Sequence, residues 1–473
     1  MRCPQEGCGL SQPELKRSIG LVRATAMVIG TIIGASIFVQ PSVITGAVPS
    51  AWGVYLVWMA AGVLTFFGAL ASAELASAFP RTGGVYVFLS EAYSPPVGFL
   101  WGWAMFWSMH SGIIAAIAVI FARYAAHFIP MGPTGLRVAA IGCILVLSAV
   151  NYFGVRQGSA LQTAFTMGKI VAILAIIAAG FLIGGEGAGS GAGAGVGLDG
   201  PGAIGGALTG ASPAGEGSFT LQAFALALVA GLFAFGGWHM VTYAAEETIR
   251  PERTIPRALL IGTLTVTACY IAMNAVYMHV LPLDRVIASE RIAADAADVI
   301  LGSGGAGLMS GLVVFSTFGA LSGIILAGPR VYYSMANDGL IFRWLGGIHP
   351  RFRTPHRAIA LQAVWSSVLV ATGTYQALFT RVVYTEWIFF AMMAFGLFRL
   401  RRRRDYRPSY RIWGYPIVPA IFVLASAAIV FNQIVGDPGE SAFGLALVLV
   451  GLPVYYFWVG RHSREKEAFR GRD

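Results

Sequence analysis

Apolar runs of about twenty residues, separated by short polar turns, recur along almost the whole chain. About twenty helical residues cover the roughly 30 Å of hydrocarbon in a bilayer. The period-two alternation of a membrane β-barrel is missing. The predicted fold is an all-α polytopic membrane protein with twelve spans, at about 19–44, 51–79, 97–129, 136–152, 161–184, 219–247, 256–281, 306–336, 357–375, 382–399, 414–434 and 441–460. No polar stretch is long enough for a soluble domain. The pattern therefore gives an N-terminal tail, 1–17, one membrane domain, 18–460, and a C-terminal tail, 461–473.

Two runs carry residues that a plain anchor avoids. The first contains Gly30-Thr31-Ile32-Ile33-Gly34-Ala35-Ser36-Ile37-Phe38, and the sixth contains Phe233-Ala234-Phe235-Gly236-Gly237-Trp238. Small residues and glycines at these places predict broken helices. Backbone polar groups in hydrocarbon must be satisfied, so an unwound segment survives only inside protein or beside a water-filled cavity. There it offers free N–H groups to a carboxylate and exposed carbonyls to an ammonium. A zwitterion then needs no charged side chain. Gly30 and Gly34 also have the spacing of closely packed membrane helices. A second break five spans later favours a site, because discontinuous helices at matching places in two halves point to transport.

Composition agrees with the pattern. Of 473 residues 56% are hydrophobic and 11% charged, against about 25% charged in soluble proteins. The net charge of +10 matters through its placement, since Lys and Arg are retained in cytoplasmic loops. With both termini cytoplasmic, that side holds Lys16, Arg17, Arg81, Arg250, Arg253, Arg257, Arg343, Arg351, Arg353, Arg357 and the run Arg401 to Arg404. Outer loops keep Arg123, Arg137, Arg285, Arg291 and Arg381. The basic charge thus reports topology in the plasma (cell inner) membrane and contact with membrane lipid, not nucleic acid.

The polar start of the chain is no cleavable signal peptide. Cys3, Cys8, Cys143 and Cys269 show neither disulfide nor zinc spacing. The outer loop 184–218 reads as a flexible linker of Gly, Ala and Ser. Its Gly195-Val196-Gly197-Leu198-Asp199-Gly200 matches a dinucleotide motif by letter only, with no strand before it and no helix after.

A few ionisable residues fall inside spans. Lys169 in the fifth is a functional candidate, because a central Lys costs about 2.5–3.5 kcal/mol to insert; near a span end it would instead snorkel to water. His239 follows the second break and titrates near neutrality, so it is a candidate for proton coupling or a hydrogen-bonded core histidine. His110, with Ser108 and Ser111, lies in span three. Glu74, Glu246 and Glu247 sit near cytoplasmic ends, where pairing with Arg, helix capping or an inner gate would employ them, and Glu386 reads as structural. Trp52, Trp101 and Tyr415 read as interfacial anchors. With no catalytic set, metal-ligand spacing or cofactor motif, an enzyme is not expected.

Several motifs together resemble the amino acid–polyamine–organocation superfamily, and in particular its L-type amino acid transporter branch and bacterial relatives. The first break resembles the glycine-rich unwound segment of that superfamily. Phe233 to Trp238 continues through Tyr243-Ala-Ala-Glu-Glu247 and Arg250-Pro-Glu-Arg-Thr-Ile-Pro256 in the branch's manner. So do Ala73-Glu-Leu75, Phe79-Pro-Arg-Thr-Gly-Gly84 and Tyr410-Arg-Ile-Trp-Gly-Tyr-Pro416. The resemblance covers essentially all twelve spans.

It implies a LeuT-like five-plus-five inverted repeat, about 19–184 and 219–399, with helices eleven and twelve, about 414–460, peripheral. It implies that substrate is bound by Ile33, Gly34, Ala35, Ser36 and Ile37, with the carboxylate on N–H groups around Gly34, Ala35 and Ser36, and by Phe233, Ala234, Phe235 and Gly236, with the ammonium on carbonyls near Phe233, Ala234 and Phe235. Phe233 would gate the outer side, while Ser322, Gly323 and Phe318 would lie near the substrate side chain. Lys169 would fill the space of a sodium ion. Gly34-Ala35-Ser36 stands where relatives have Gly-Ser-Gly, which reshapes the site at Ser36.

The expected function is sodium-independent secondary transport of neutral L-amino acids, by proton coupling or exchange. Transport of polyamines or organic cations, and amino acid sensing, are the alternatives. A partner subunit is left open by the sequence.

Overall fold

The computed structural model describes residues 15–183, 220–289, 291–373 and 375–458. The 184–218 linker, Cys3, Cys8 and the 461–473 tail lie outside the described residues. Among those described, all regular structure is helical. Nine segments are apolar and long enough to cross a bilayer, by length and composition alone. They are α3 (Ala51–Ala78), α5 with α6 (Pro95–Ala104 and His110–Ala125), α7 (Pro133–Tyr152), α8 (Val155–Ile183), the broken stretch from α9 (Leu221–Ala234) to Glu247, α10 (Pro251–Val280), α13 (Gly305–Asn337), α16 (Ile417–Gly436) and Pro438–Trp458, which begins with α17 (Pro438–Leu449). The broken first span, α1 (Leu21–Ile32) and α2 (Gln40–Ala47), with α14 (His356–Thr372) and α15 (Tyr375–Leu400), brings the crossings to the expected twelve.

Three short helices escape a twenty-residue hydropathy window. α4 (Val85–Ala92) buries Val85 through Leu89, while α11 (Leu283–Ala288) and α12 (Ile292–Leu301) cover the loop before α13. Three predicted starts move outward by five residues or more, α8 from 161 to Val155, α10 from 256 to Pro251 and α15 from 382 to Tyr375. Pro251 suits the first helical turn because it lacks an N–H that would otherwise go unpaired. Trp101 is a correction. It is not an interfacial anchor but fully buried, two turns into α5, with its ring 5.4 Å from Phe389 and 5.9 Å from His239. Trp52, 84% exposed, keeps the anchor's setting.

Small residues let the central helices meet backbone to side chain, which is how packing stabilises helices in lipid. A Cβ at Gly62 of α3 would sit 2.4 Å from Thr267 of α10, and one at Gly262 of α10 would sit 2.5 Å from Val28 of α1. α1 is thereby held through α10 against α3 in the protein interior. The face carrying Arg401 to Arg404 and the 343–357 loop is termed the basic face below.

Candidate functional site at two broken helices

The first break begins where α1 ends, with Ile33 extended (φ −73°, ψ 91°), and the chain re-enters a short 3₁₀ turn over Ser36–Phe38 before α2. The leading N–H groups of a helix have no partner within it. Among the described residues the amides of Ala35, Ser36 and Ile37 donate to no backbone carbonyl. The Gly34 amide is not among them, since it donates to Ile32 O at 2.9 Å. The open donors therefore sit one residue later than the resemblance implies. Gly30 and Gly34 also part company. A Cβ at Gly30 would lie 2.1 Å from Gln162 Nε2, whereas one at Gly34 would meet nothing closer than Ala320 Cβ at 3.8 Å. Packing explains Gly30 and leaves Gly34 unexplained.

In the sixth span, α9 starts on a cap in which the Thr220 hydroxyl accepts from Ala223 N at 3.1 Å, and it ends at Ala234. Residues 235–237 unwind, and a 3₁₀ helix follows over Trp238–Glu247. Gly237 has φ +96°, a left-handed conformation that favours glycine. Its Cβ would lie 3.0 Å from Thr31 O, so the two breaks touch there. Phe233 O accepts from Gly236 N at 3.0 Å, but the carbonyls of Phe235 and Gly236 accept no backbone hydrogen bond among the described residues. Gly236 is exposed, and Ser36 and Phe233 are half-buried. Ile33, Gly34, Ala35, Ile37, Ala234 and Phe235 are buried. The Phe235 ring packs in the core, 5.0 Å from Tyr270 and 6.3 Å from Trp58.

Two side chains, Tyr270 and Thr31, hold the breaks together, and a third, Lys169, ties the first break to α13. Tyr270 of α10 points one hydroxyl at both helix ends, 3.1 Å from Ile32 O and 3.1 Å from Ala234 O. Thr31 Oγ1 donates toward Gly237 O at 3.1 Å. Lys169, fully buried, donates to Gly30 O at 3.2 Å, Ile33 O at 2.6 Å and Ser316 O at 3.1 Å. Three ammonium donors meet three carbonyls. Ser316 adds a bond to Gly34 O at 3.1 Å. Tyr270 and Ser316 were not foreseen. Nothing in an apolar helix distinguishes a Tyr or Ser that reaches another helix from one that does not.

Ser322 of α13 is buried with an unpartnered hydroxyl, and Gly323 next to it lies against Gln162 and Thr31. Phe318 packs on Phe121 and Phe165. His110 Nε2 is 2.9 Å from Ile324 O, which makes it a hydrogen-bonded core histidine. It follows a π-helical turn, Met105–Met109. Ser108 and Ser111 bond within their own stretch, to Ala104 O and Phe106 O. His239 has neither ring nitrogen hydrogen-bonded; its Nε2 is 3.7 Å from Glu386 Oε1, amid the rings of Trp101, Trp238, Tyr243 and Phe390.

Toward the basic face the route from the breaks is knitted shut. Ser18 and Ile19 amides donate to Glu247 O at 2.8 and 3.0 Å, and Ile249 N returns a bond to Ile19 O at 2.9 Å. The Glu247 carboxylate accepts from Arg330 Nε and Nη2, both at 2.9 Å, with both side chains fully buried. Glu246 and Thr82 exchange bonds at 3.2 Å each. Arg81 and Tyr86 both donate to Asp338, at 3.0 and 2.6 Å. Glu74 is turned elsewhere. It accepts from Arg401 Nε at 2.9 Å and Ile412 N at 2.8 Å, pinning the loop after α15 onto α3.

The sequence model of the family described as amino acid permease matches residues 19–456. The serine/threonine exchanger SteT of Bacillus subtilis is 30% identical over 446 residues, 93% of this chain and 97% of that protein. The human b(0,+)-type amino acid transporter 1 is 29% identical over 453 residues, 94% of this chain and 88% of that one. The human large neutral amino acids transporter small subunit 2 is 29% identical over 465 residues, covering 96% and 83%.

Proposed function

The chain belongs to the amino acid permease family and is a membrane transporter of amino acids, not an enzyme, and from that premise we propose that it exchanges neutral L-amino acids without sodium, by alternating access around the two breaks. One observation carries this reading: unpaired amides at Ala35, Ser36 and Ile37 and unpaired carbonyls at Phe235 and Gly236, on two breaks joined through Tyr270 and Thr31. The substrate carboxylate seats on the first set and its ammonium on the second. Ile33, Gly34 and Ala234 supply the surrounding backbone. Phe233 closes the site from the side away from the basic face, and Ser322 faces the substrate side chain.

Neutral substrates follow from the carboxylates. Among the described residues Glu74 and Glu247 each pair with an Arg and Glu386 is directed at His239, which leaves none of these three for a cationic side chain. That disfavours polyamines. Lys169 does the work of a bound cation by holding the end of α1 against α13, so sodium is not needed. Exchange is supported by the likeness to the Bacillus serine/threonine exchanger. A second reading, proton coupling, is favoured by His239 beside Glu386.

The basic face is cytoplasmic on the positive-inside pattern, with both termini there and the protein in the plasma (cell inner) membrane. The conformer is then shut inside. The two five-span repeats are 19–184 and 219–399, with 414–460 at the periphery.

Proteoliposomes holding the purified chain test the reading. Labelled serine, threonine, alanine and leucine are offered with and without internal amino acid, with and without a pH gradient, in sodium or choline. Uptake that needs internal amino acid and ignores sodium supports exchange. Uptake driven by the pH gradient alone selects proton coupling, and no uptake of any amino acid removes the proposal.

A further inference from the structure

A second concavity lies on the basic face, away from the breaks. It has a volume of about 660 Å³ and is lined by Lys16, Arg156, Arg351 and Arg353 with the rings of Phe153 and Phe352. Among the described residues no acidic side chain lines it. Among the described residues none of the four cations pairs with a carboxylate. Four like charges around one cavity repel each other, so the arrangement is stabilised by an anion.

The walls are fixed beforehand. Thr354 Oγ1 donates to Tyr152 O at 2.8 Å, tying the 349–354 loop to the end of α7. His349 Nδ1 accepts from the amides of Arg351 and Phe352, each at 3.2 Å. Phe352 packs on Phe153 at 5.3 Å, and Arg353 is held at φ +56°. Such preorganisation lowers the cost of gathering the charges round a ligand.

We propose that this cavity binds the phosphate of an anionic membrane lipid. A soluble phosphate would satisfy the cations but leave Phe153 without purpose. Phe153 directly follows the membrane-crossing α7 and is 54% exposed. A headgroup at the Arg side chains with its acyl chains along Phe153 uses both properties. Lys16 and Ser18 line the same cavity, and the Ser18 and Ile19 amides are the ones that reach Glu247. A lipid seated here therefore touches the segment that shuts the basic face, and it favours the shut state by binding that state better. This proposal stands apart from the transport reading.

The test is equilibrium binding of a fluorescent phosphatidylglycerol to the purified full chain at fixed ionic strength. Unlabelled phosphatidylglycerol, phosphatidylcholine and inorganic phosphate serve as competitors. At about fivefold per cation, Arg351→Gln with Arg353→Gln weakens binding about 25-fold, and Arg156→Gln in α8 about fivefold. Arg402→Gln with Arg404→Gln removes the same charge outside the cavity and changes affinity less than twofold. Equal affinity across all these variants would overturn the proposal. So would inorganic phosphate displacing the probe as effectively as phosphatidylglycerol, which would make this a soluble-anion site.

Discussion

Lys169 donates to the Ile33 carbonyl at 2.6 Å, the shorter of two bonds by which the fifth span grips the first break, and a third ties the same ammonium to Ser316 O of α13. Removing the ammonium strands three buried carbonyls, each at about 1–3 kcal/mol. Lys169→Ala is expected to cut amino acid exchange in proteoliposomes at least tenfold, and added sodium is not expected to restore it. Wild-type exchange rates should be the same in sodium and choline. Retained transport in the variant would remove Lys169 from the mechanism.

Tyr270→Phe deletes the one hydroxyl shared by Ile32 O and Ala234 O while keeping the ring against Trp58 at 5.3 Å. A lost hydrogen bond is worth about 1 kcal/mol. Thermal unfolding of the purified protein should shift down modestly, and exchange should slow about fivefold. An unchanged rate would show that the junction is held by packing alone.

Glu247 and Arg330 form a fully buried bidentate pair. Leaving one charge unpartnered costs about 3–5 kcal/mol, so Glu247→Gln and Arg330→Met should each lower thermal stability strongly. The double change Glu247→Leu with Arg330→Met should recover much of it, and its basic-face route should open more readily to a thiol reagent reacting with Cys introduced at Ser36. A double variant no more stable than either single one contradicts this account.

Ser36 is half-buried at the mouth of the first break. Ser36→Gly should widen the substrate range, improving leucine over serine by about tenfold in KM, since a small change in pocket volume shifts discrimination by about that much. Competition assays with unlabelled amino acids read this directly. An unaltered preference would place the substrate side chain elsewhere.

Both breaks were legible in the sequence because they violate what lipid demands of a helix, and Gly237 and Gly34 mark the violation. Lys169 was legible for the same reason. The ambiguity at Gly30 and Gly34 could not be resolved from spacing, since the answer depends on Gln162 of another helix. Tyr270 and Ser316 were invisible for a related cause, and Glu74 was expected to pair with an Arg or cap a helix without Arg401 being identifiable. A polar group in an apolar run declares that it needs a partner but not which one. Trp101 misled because an aromatic near a span end matches an anchor until a neighbouring helix covers it. The open amides shifted by one residue because the Gly34 amide folds back onto Ile32 O just beyond the end of α1.

The three-carbonyl cradle around Lys169 has a consequence for energy conversion. A carrier that borrows a metal ion moves that charge with each turnover, and the membrane voltage then drives or opposes the cycle. Here the cation is covalently part of the chain and stays behind when substrate leaves. Swapping one zwitterion for another then transfers no net charge, so transport should be electrically silent. Cells could not use their membrane potential to concentrate substrate through it. The direction of flow would be set entirely by which amino acids are abundant on either side.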